Sequence, residues 1–168
     1  MASATLLPRE IGLALACLAT SGAAVLAYAF LRVPMSFTVP FVVLPLSALV
    51  VIVALWGQRR FERLHVFSRR LLTGAAMGLV ATLAYDAIRP PLLAVVGLSF
   101  DPYRAILIFG QLITGLPATD PLAVTAGWIY HFWNGISFAM MYALFRPRGG
   151  VLLAVLWALM LEVLLWAA

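Results

Sequence analysis

The sequence has no lysine, one cysteine and few charged residues of either sign. Eleven arginines carry all of the basic charge outside the two histidines, and six aspartates and glutamates carry the acidic charge. Without lysine the chain cannot form a Schiff base, which excludes a retinal-type photoreceptor. The single cysteine, Cys17, excludes an internal disulfide and a thiolate metal cage.

Hydrophobic residues, by contrast, are abundant. They make up 65% of the 168 residues, charged residues make up 10%, and the mean hydropathy is +1.08. Soluble domains contain about 45–50% apolar residues and about 25% charged ones. We therefore predict an integral membrane protein whose main partner is the lipid bilayer. The net charge of +5 predicts no nucleic-acid partner, because the arginines cluster at the ends of hydrophobic segments.

Five segments are long enough to cross a bilayer, which takes about 20 residues of helix. They lie at about residues 11–31, 37–57, 70–96, 121–145 and 149–167. The predicted fold is an all-α membrane bundle forming one domain over residues 1–168, with a short outer helix at 102–114. Asp101-Pro102 and Gly115 mark the ends of that short helix, and Asp120-Pro121 opens the fourth span.

The arginines also predict the orientation of the chain. QRRFERLHVFSRR at 58–70 and FRPRGG at 145–150 are expected on the cytoplasmic side, because basic loops stay inside. Counting spans from these loops places the N-terminus inside and the C-terminus outside, with eight arginines inside and three outside. A cleaved signal peptide is the alternative for the first span, since LAYA at 26–29 resembles a cleavage site.

Three spans carry small residues at intervals of four together with one ionisable residue. Small residues let membrane helices approach closely, so each stripe should face the interior of the bundle. The ionisable residues on these stripes are Asp86, His131 and Glu162. The predicted packing residues are Gly74, Gly78, Gly127, Gly135, Ala154 and Ala158.

All three ionisable residues are expected in the outer half of a hydrocarbon core about 30 Å thick. We predict that they line a shared polar pocket, and that proline frees a main-chain acceptor beside it, since Pro90 cannot donate to the carbonyl of Asp86. A buried ionisable group costs about 2.5–3.5 kcal/mol on insertion scales, which makes function the default interpretation. The full predicted pocket is Asp86, His131, Asn134, Glu162, Arg89, Tyr85 and Tyr130.

Structural interpretations of the same residues stay open. Asp86 could form an ion pair with Arg89 in its own helix, and His131 could be a neutral imidazole bonded to a neighbouring helix. Glu162 is close enough to the C-terminus to reach water. Asp86, His131 and Glu162 could supply one nitrogen and two carboxylates to a divalent metal, although no ligand spacing within a helix supports this. The sequence identifies no cofactor.

The stretch GWIYHFWNGISFAMMYALF is followed by a short basic turn and a helix rich in small residues. It resembles small bacterial inner-membrane proteins of the YagU-like kind, in which a histidine also precedes an aromatic-rich helix. The resemblance covers about the last 50 residues. It implies a location in the bacterial inner membrane and no particular activity.

The function predicted from these patterns is a transporter or carrier component that handles a proton, a cation or a small polar ligand. One alternative is an accessory or assembly subunit, because Gly74 and Gly78 could form a contact face for a homo-oligomer or a larger complex. A second is an enzyme acting on a lipidic substrate, with His131 as general base. No motif decides whether the protein is an enzyme.

Overall fold

The computed structural model describes residues 8–60, 62–146 and 149–166, and their side chains except those of 8, 58–60, 62, 63, 162 and 164–166. All regular structure in these ranges is helical, which confirms the predicted all-α class. The helices are α1 (Pro8–Leu31), α2 (Met35–Thr38), α3 (Leu44–Arg60), α4 (Glu62–Val96), α5 (Arg104–Thr114), α6 (Pro121–Phe145) and α7 (Val151–Trp166), with a π-helical turn at Val39–Val43 between α2 and α3.

Three stretches of helix are long and apolar enough to cross a membrane, which is consistent with a membrane protein. They are Arg9–Leu31, Met35–Gly57 and Leu64–Val96. Of the other two predicted spans, one differs from these in composition and the other differs in length. Helix α6 has 25 residues but carries His131, Asn134 and several glycines and aromatic residues, whereas the apolar stretch described in α7 is the short Val151–Leu161.

The sequence predicts a loop at 58–70, and this prediction is wrong. Helix α3 continues to Arg60 and α4 already begins at Glu62, so α4 has 35 residues instead of the 27 expected for residues 70–96. Arginine and glutamate are good helix formers, which lets both helices extend beyond their apolar segments. Phe61, the residue between them in the sequence, lies outside the described residues.

Two capping signals in the sequence produce the helix ends that they predict. The carboxylate of Asp120 accepts a hydrogen bond from the Leu122 N–H at 2.8 Å, and Pro121 occupies the first turn of α6. Gly115 ends α5 with a φ of 73°, and its N–H donates to the Gln111 carbonyl. Left-handed backbone of this kind favours glycine, since it has no Cβ to clash with the carbonyl.

Helix α6 is the central helix of the bundle and packs against α1, α4 and α5. No side chain between Tyr130 and Leu144 is fully exposed. Large hydrophobic side chains are exposed on the surrounding elements, among them Phe41, Trp56 and Val80. Because neighbouring helices cover most of α6, that helix can carry polar residues that a lipid-facing helix would not tolerate.

Small residues set the contact between α4 and α6. A Cβ added to Gly74 would lie 2.8 Å from the Met140 Cα, and one added to Gly78 would lie 2.8 Å from the Ala139 Cβ. Further along, a Cβ on Gly135 would lie 2.1 Å from the Thr82 hydroxyl oxygen. The Gly74–Gly78 face therefore contacts α6 of the same chain, and a homo-oligomer would have to use another surface.

The same stripe of small residues on α6 also contacts α5. A Cβ on Gly127 would lie 2.2 Å from the Ile106 carbonyl oxygen, and a Cβ on Gly110 would lie 1.9 Å from the Ala123 carbonyl oxygen. Backbone therefore meets backbone where these helices cross. Residues at intervals of four, from Ala123 to Ala143, thus form one continuous packing stripe on α6, and His131 is its only large member.

The expected packing stripe of α7 is not observed. Ala158 is exposed, Ala154 is only half-buried, and nothing lies within 4 Å of a Cβ added to Gly150. Helix α7 instead contacts α6 through Trp157, whose indole N–H donates to the Phe138 carbonyl at 3.2 Å and whose ring lies 6.3 Å from that of Tyr142. The bulky indole determines which side of α7 faces α6, so the small residues turn away.

Candidate functional site

Helices α4 and α6 run antiparallel, which brings Asp86 and His131 to the same level of the bundle. Gly74 lies beside Met140, Gly78 beside Ile136 and Thr82 beside Gly135. One further turn along each helix, the stripe of α4 reaches Asp86 while the stripe of α6 reaches His131. The two ionisable side chains therefore meet because both occupy a position in the same close-packed helix contact.

The two side chains form an ion-pair contact between the helices. The Nε2 atom of His131 lies 3.0 Å from one carboxylate oxygen of Asp86 and 3.1 Å from the other. The side chain of His131 is 16% exposed and that of Asp86 is 10% exposed. An ionised carboxylate can only accept, so with Asp86 ionised the proton is on Nε2, which donates to both oxygens.

The carbonyl oxygen of Asp86 has a partner of its own. The hydroxyl of Tyr103, just before α5, donates to this oxygen at 3.0 Å. Proline at position 90 has no N–H to donate to the same carbonyl, so the acceptor freed within α4 is satisfied from outside the helix. The position of Tyr103 is held by the Asp101 carboxylate, which accepts from the Tyr103 N–H at 2.8 Å.

Aromatic rings surround the imidazole of His131. The Trp128 ring lies edge-on at 5.9 Å between centroids, and the Phe132 ring lies edge-on at 5.7 Å. The Trp128 ring also lies 5.4 Å from that of Tyr103. Tyr103 thus connects the main chain of Asp86 to the aromatic residues around His131, and these rings limit the access of water to the pair.

Two predicted pocket residues lie elsewhere. The Arg89 guanidinium is positioned over the Tyr85 ring, 4.8 Å from its centroid, and the Tyr85 side chain is 40% exposed. The ion pair of Asp86 is with His131 and not with Arg89. Arg89 and Asp86 are three residues apart, but the short path to His131 across the helix contact gives the carboxylate a buried partner instead.

Tyr130 is buried and serves the contact between α6 and α1. Its hydroxyl donates to the main-chain carbonyl of Ser21, and its ring packs edge-on against Phe109 at 5.5 Å. Tyr130 therefore faces α1 and α5, while the next residue, His131, faces α4. Consecutive residues of a helix point to different faces, and the prediction that both side chains line one pocket overlooks this.

Asn134 is buried on α6, about one turn further along the helix than His131. It is 8% exposed, and its Oδ1 atom has no hydrogen-bond partner among the described residues. Glu162 belongs to α7, and its side chain lies outside the described part of the structure. Within the described residues, no group of three or more His, Cys, Asp or Glu side chains is arranged to hold a metal ion. The metal hypothesis that includes Glu162 stays a prediction.

Tyr103 and Trp128 are the site residues that the sequence did not assign to it. From the sequence alone, aromatic residues of a membrane protein are expected to anchor it at the membrane surface, where tyrosine and tryptophan collect. A signal for Tyr103 was available, since a proline four residues after Asp86 frees a carbonyl that needs a donor. Which donor would reach it depends on how the 97–103 segment returns over α4, and no local pattern encodes that path.

The comparisons with known proteins do not extend this description. No protein-family model matches the chain, and neither a curated protein nor a solved structure is significantly similar to it. What is known of the site is therefore the geometry of the Asp86–His131 pair and of the residues around it.

Proposed function

We propose that the protein is a small polytopic membrane protein that moves a proton, a cation or a small polar ligand, with the Asp86–His131 pair as its binding centre. Helices α6 and α7 complete five spans in this proposal. The protein lies in the bacterial inner membrane, as the YagU-like resemblance implies, with its N-terminus in the cytoplasm and the pair nearer the outer surface.

The observation that carries the proposal is the burial of an acid and an imidazole against each other in a largely apolar bundle. Either charge alone would be costly in this environment, and a mutual pair lowers the cost without removing it. Carboxylate and histidine are also the groups from which proton relays in membranes are built. A packed helix contact does not need either group, since small apolar residues serve the rest of the stripe.

A flux measurement tests the proposal. The full chain is reconstituted into liposomes that contain a pH-sensitive dye, and a potassium gradient with valinomycin drives proton entry. His131→Gln and Asp86→Asn are each expected to lower the flux about tenfold or more, because each removes one member of the relay. Substrate uptake can be measured in the same vesicles, with the dye reporting coupled protons.

Two matched variants serve as controls. His65→Gln makes the same change at the other histidine, which is exposed on α4. Asp120→Asn neutralises the carboxylate that caps α6, and asparagine caps a helix equally well. Both controls should keep the flux of the native chain. Native flux and uptake in the His131 and Asp86 variants, with melting temperatures showing that they are folded, would reject the proposal.

An accessory subunit is the second candidate, and α7 is the feature that favours it. Its exposed apolar residues include five that lie within an arc of about 120°, on one side of the helix: Val151, Leu152, Val155, Leu159 and Val163. Helix α7 makes few contacts with the rest of the chain beyond those of Trp157 and Tyr142. An accessory role predicts that polar substitutions at Leu152 and Leu159 abolish co-purification of a partner while Asp86→Asn does not.

A further inference from the structure

Four buried polar atoms have no hydrogen-bond partner among the described residues, and three of them lie close together in sequence on α6. They are the Trp133 Nε1, the Asn134 Oδ1 and the Ser137 Oγ atoms; the fourth, the Ser68 Oγ atom, lies on α4 near Gly57 of α3. A buried donor or acceptor without a partner costs about 1–3 kcal/mol. Three such atoms within five residues therefore call for an explanation.

The three residues that carry these atoms belong to one face of α6. At 100° per residue, positions 130, 133, 134 and 137 lie within an arc of about 100°. Tyr130 on this face bonds to α1, and Trp133 packs beside the core residues of α1. Asn134 is at the edge of the face nearer to His131, three residues further along the helix. The face therefore passes beside His131 and continues toward the C-terminal end of α6.

The hydroxyl of Ser137, like that of Ser68, differs from four other hydroxyls of these helices. Ser21, Thr82, Thr114 and Thr125 each donate to a carbonyl three or four residues earlier in the same helix. Ser137 is completely buried and makes no such bond. Its hydroxyl is free to donate and to accept, which is the property that a water molecule or a proton path requires.

We infer that this face of α6 binds internal water and that the water conducts protons between the Asp86–His131 pair and the middle of the bundle. Buried water typically makes about three hydrogen bonds to polar groups that otherwise lack partners. The indole N–H can donate to such water, the Asn134 oxygen can accept from it, and the Ser137 hydroxyl can do both. This inference rests on the proposed function and names the proton as the species carried.

The composition of the face favours protons over metal cations. Cations such as Ca²⁺ and Mg²⁺ need about six or more oxygen ligands around the ion. The face supplies one amide oxygen and one hydroxyl, and the indole N–H would direct positive charge at an ion. A hydrated proton is carried by donors and acceptors in alternation, and that is what the three side chains provide.

The first test detects the water directly. In the reconstituted native protein labelled with nitrogen-15, solid-state NMR measures magnetisation transfer from water to the indole N–H groups. Trp133 should receive it rapidly, whereas Trp157 is the matched control because its indole N–H already donates to the Phe138 carbonyl. Transfer to Trp133 no faster than to Trp157 would overturn the inference.

The second test asks whether the water carries protons. Ser137→Ala and Asn134→Leu should each lower the proton flux about tenfold, which corresponds to about one hydrogen bond in the path. Ser21→Ala is the matched control, since Ser21 is equally buried but its hydroxyl is bonded to the Leu18 carbonyl. Ser21→Ala should keep native flux.

The two proposals fail in different ways. If His131→Gln abolishes the flux while Ser137→Ala and Asn134→Leu keep it in folded protein, the water path is wrong and the pair keeps its role. If the native chain conducts no protons at all, the proton path is wrong, and uptake of another ligand that depends on Asp86 would still support the proposed function. A Ser137→Ala variant that is more stable than the native protein would also contradict bound water, because it would show that the hydroxyl had been buried without a partner.

Discussion

At the scale of single residues, Asp86 and His131 each lower the free-energy cost of burying the other. The Asp86 carboxylate is 10% exposed, and removal of the imidazole would take away the one ion-pair partner that it has among the described residues. Removing one member of a buried pair leaves an uncompensated charge, whereas replacing both members with apolar residues often costs little. The pair should therefore be strongly non-additive in stability.

The first prediction follows from this. His131→Leu alone should lower the free energy of unfolding by about 1–3 kcal/mol. The lower end is typical of a hydrogen bond between membrane helices, and the upper end is typical of a broken buried ion pair. The double variant Asp86→Leu/His131→Leu should recover most of that loss, because no charge is left unpaired. Denaturant titration in bicelles measures both. Additive losses would show that the two groups do not interact.

The second prediction concerns the Asp86 carbonyl. Tyr103→Phe removes the hydroxyl that donates to this oxygen and should cost about 0.5–1.5 kcal/mol. Pro90→Ala supplies a main-chain N–H four residues after Asp86, which can bond to the same carbonyl within α4. In the Pro90→Ala background Tyr103→Phe should therefore cost much less. An equal cost in both backgrounds, measured by the same titration, would assign the Tyr103 hydroxyl another role.

At the scale of elements, the helix contacts depend on glycines that bring backbone against backbone. Gly110 and Gly127 are the most demanding, since an added Cβ would lie within 2.2 Å of a main-chain carbonyl oxygen of the facing helix. A main chain cannot rotate away as a side chain can. The crossing of α5 over α6, which positions Tyr103 above Asp86, therefore depends on both glycines.

The third prediction compares three glycines. Gly127→Ala should lower the free energy of unfolding by about 1–3 kcal/mol, the usual range for overpacking. Gly135→Ala should cost less once Thr82→Ala is added, because the atom in its way is the Thr82 hydroxyl oxygen. Gly12→Ala is the control, with nothing within 4 Å of the added Cβ, and should leave stability unchanged or slightly raised.

Equal losses in Gly12→Ala and Gly127→Ala would contradict this packing. The α5–α6 crossing can also be followed separately, because its disruption should weaken the Tyr103 bond to Asp86. Gly127→Ala should therefore reduce the additional cost of Tyr103→Phe, as measured by a double-mutant cycle.

At the scale of the whole molecule, the proposed orientation in the membrane follows from the arginines. His65 lies exposed near the start of α4, in the segment proposed to be cytoplasmic, and Thr119 lies exposed between α5 and α6, on the proposed outer side. Cys17 is buried, with 6% exposure, so the native chain has no accessible thiol in its described part. Cysteines placed at the two exposed positions can thus report the sides separately.

The fourth prediction is a labelling result. In intact cells or spheroplasts, a membrane-impermeant maleimide should label Thr119→Cys, whereas His65→Cys should be labelled only after permeabilisation. The native chain should stay unlabelled in both conditions, because Cys17 is buried. Labelling of His65→Cys from outside would invert the proposed orientation and move the Asp86–His131 pair to the cytoplasmic half.

The sequence by itself determined the helical class, most helix boundaries and the small-residue stripes of α4 and α6. These follow from composition, from capping residues such as Asp120 and from intervals of four, all of which act over one or two turns. It also indicated that Asp86 and His131 would meet, because each occupies a stripe position at a similar depth.

Only the tertiary structure decided what depends on how separate helices are placed. The side of α7 that faces α6 is set by the Trp157 indole, the partner of the Asp86 carbonyl is Tyr103 from a distant segment, and Arg89 lies over Tyr85 instead of pairing with Asp86. The same holds for the unpartnered atoms of Trp133, Asn134 and Ser137, since only the packed bundle shows which polar groups lose contact with water. The physical reason is that local patterns fix the face on which a residue lies, whereas its partners depend on which other helix covers that face.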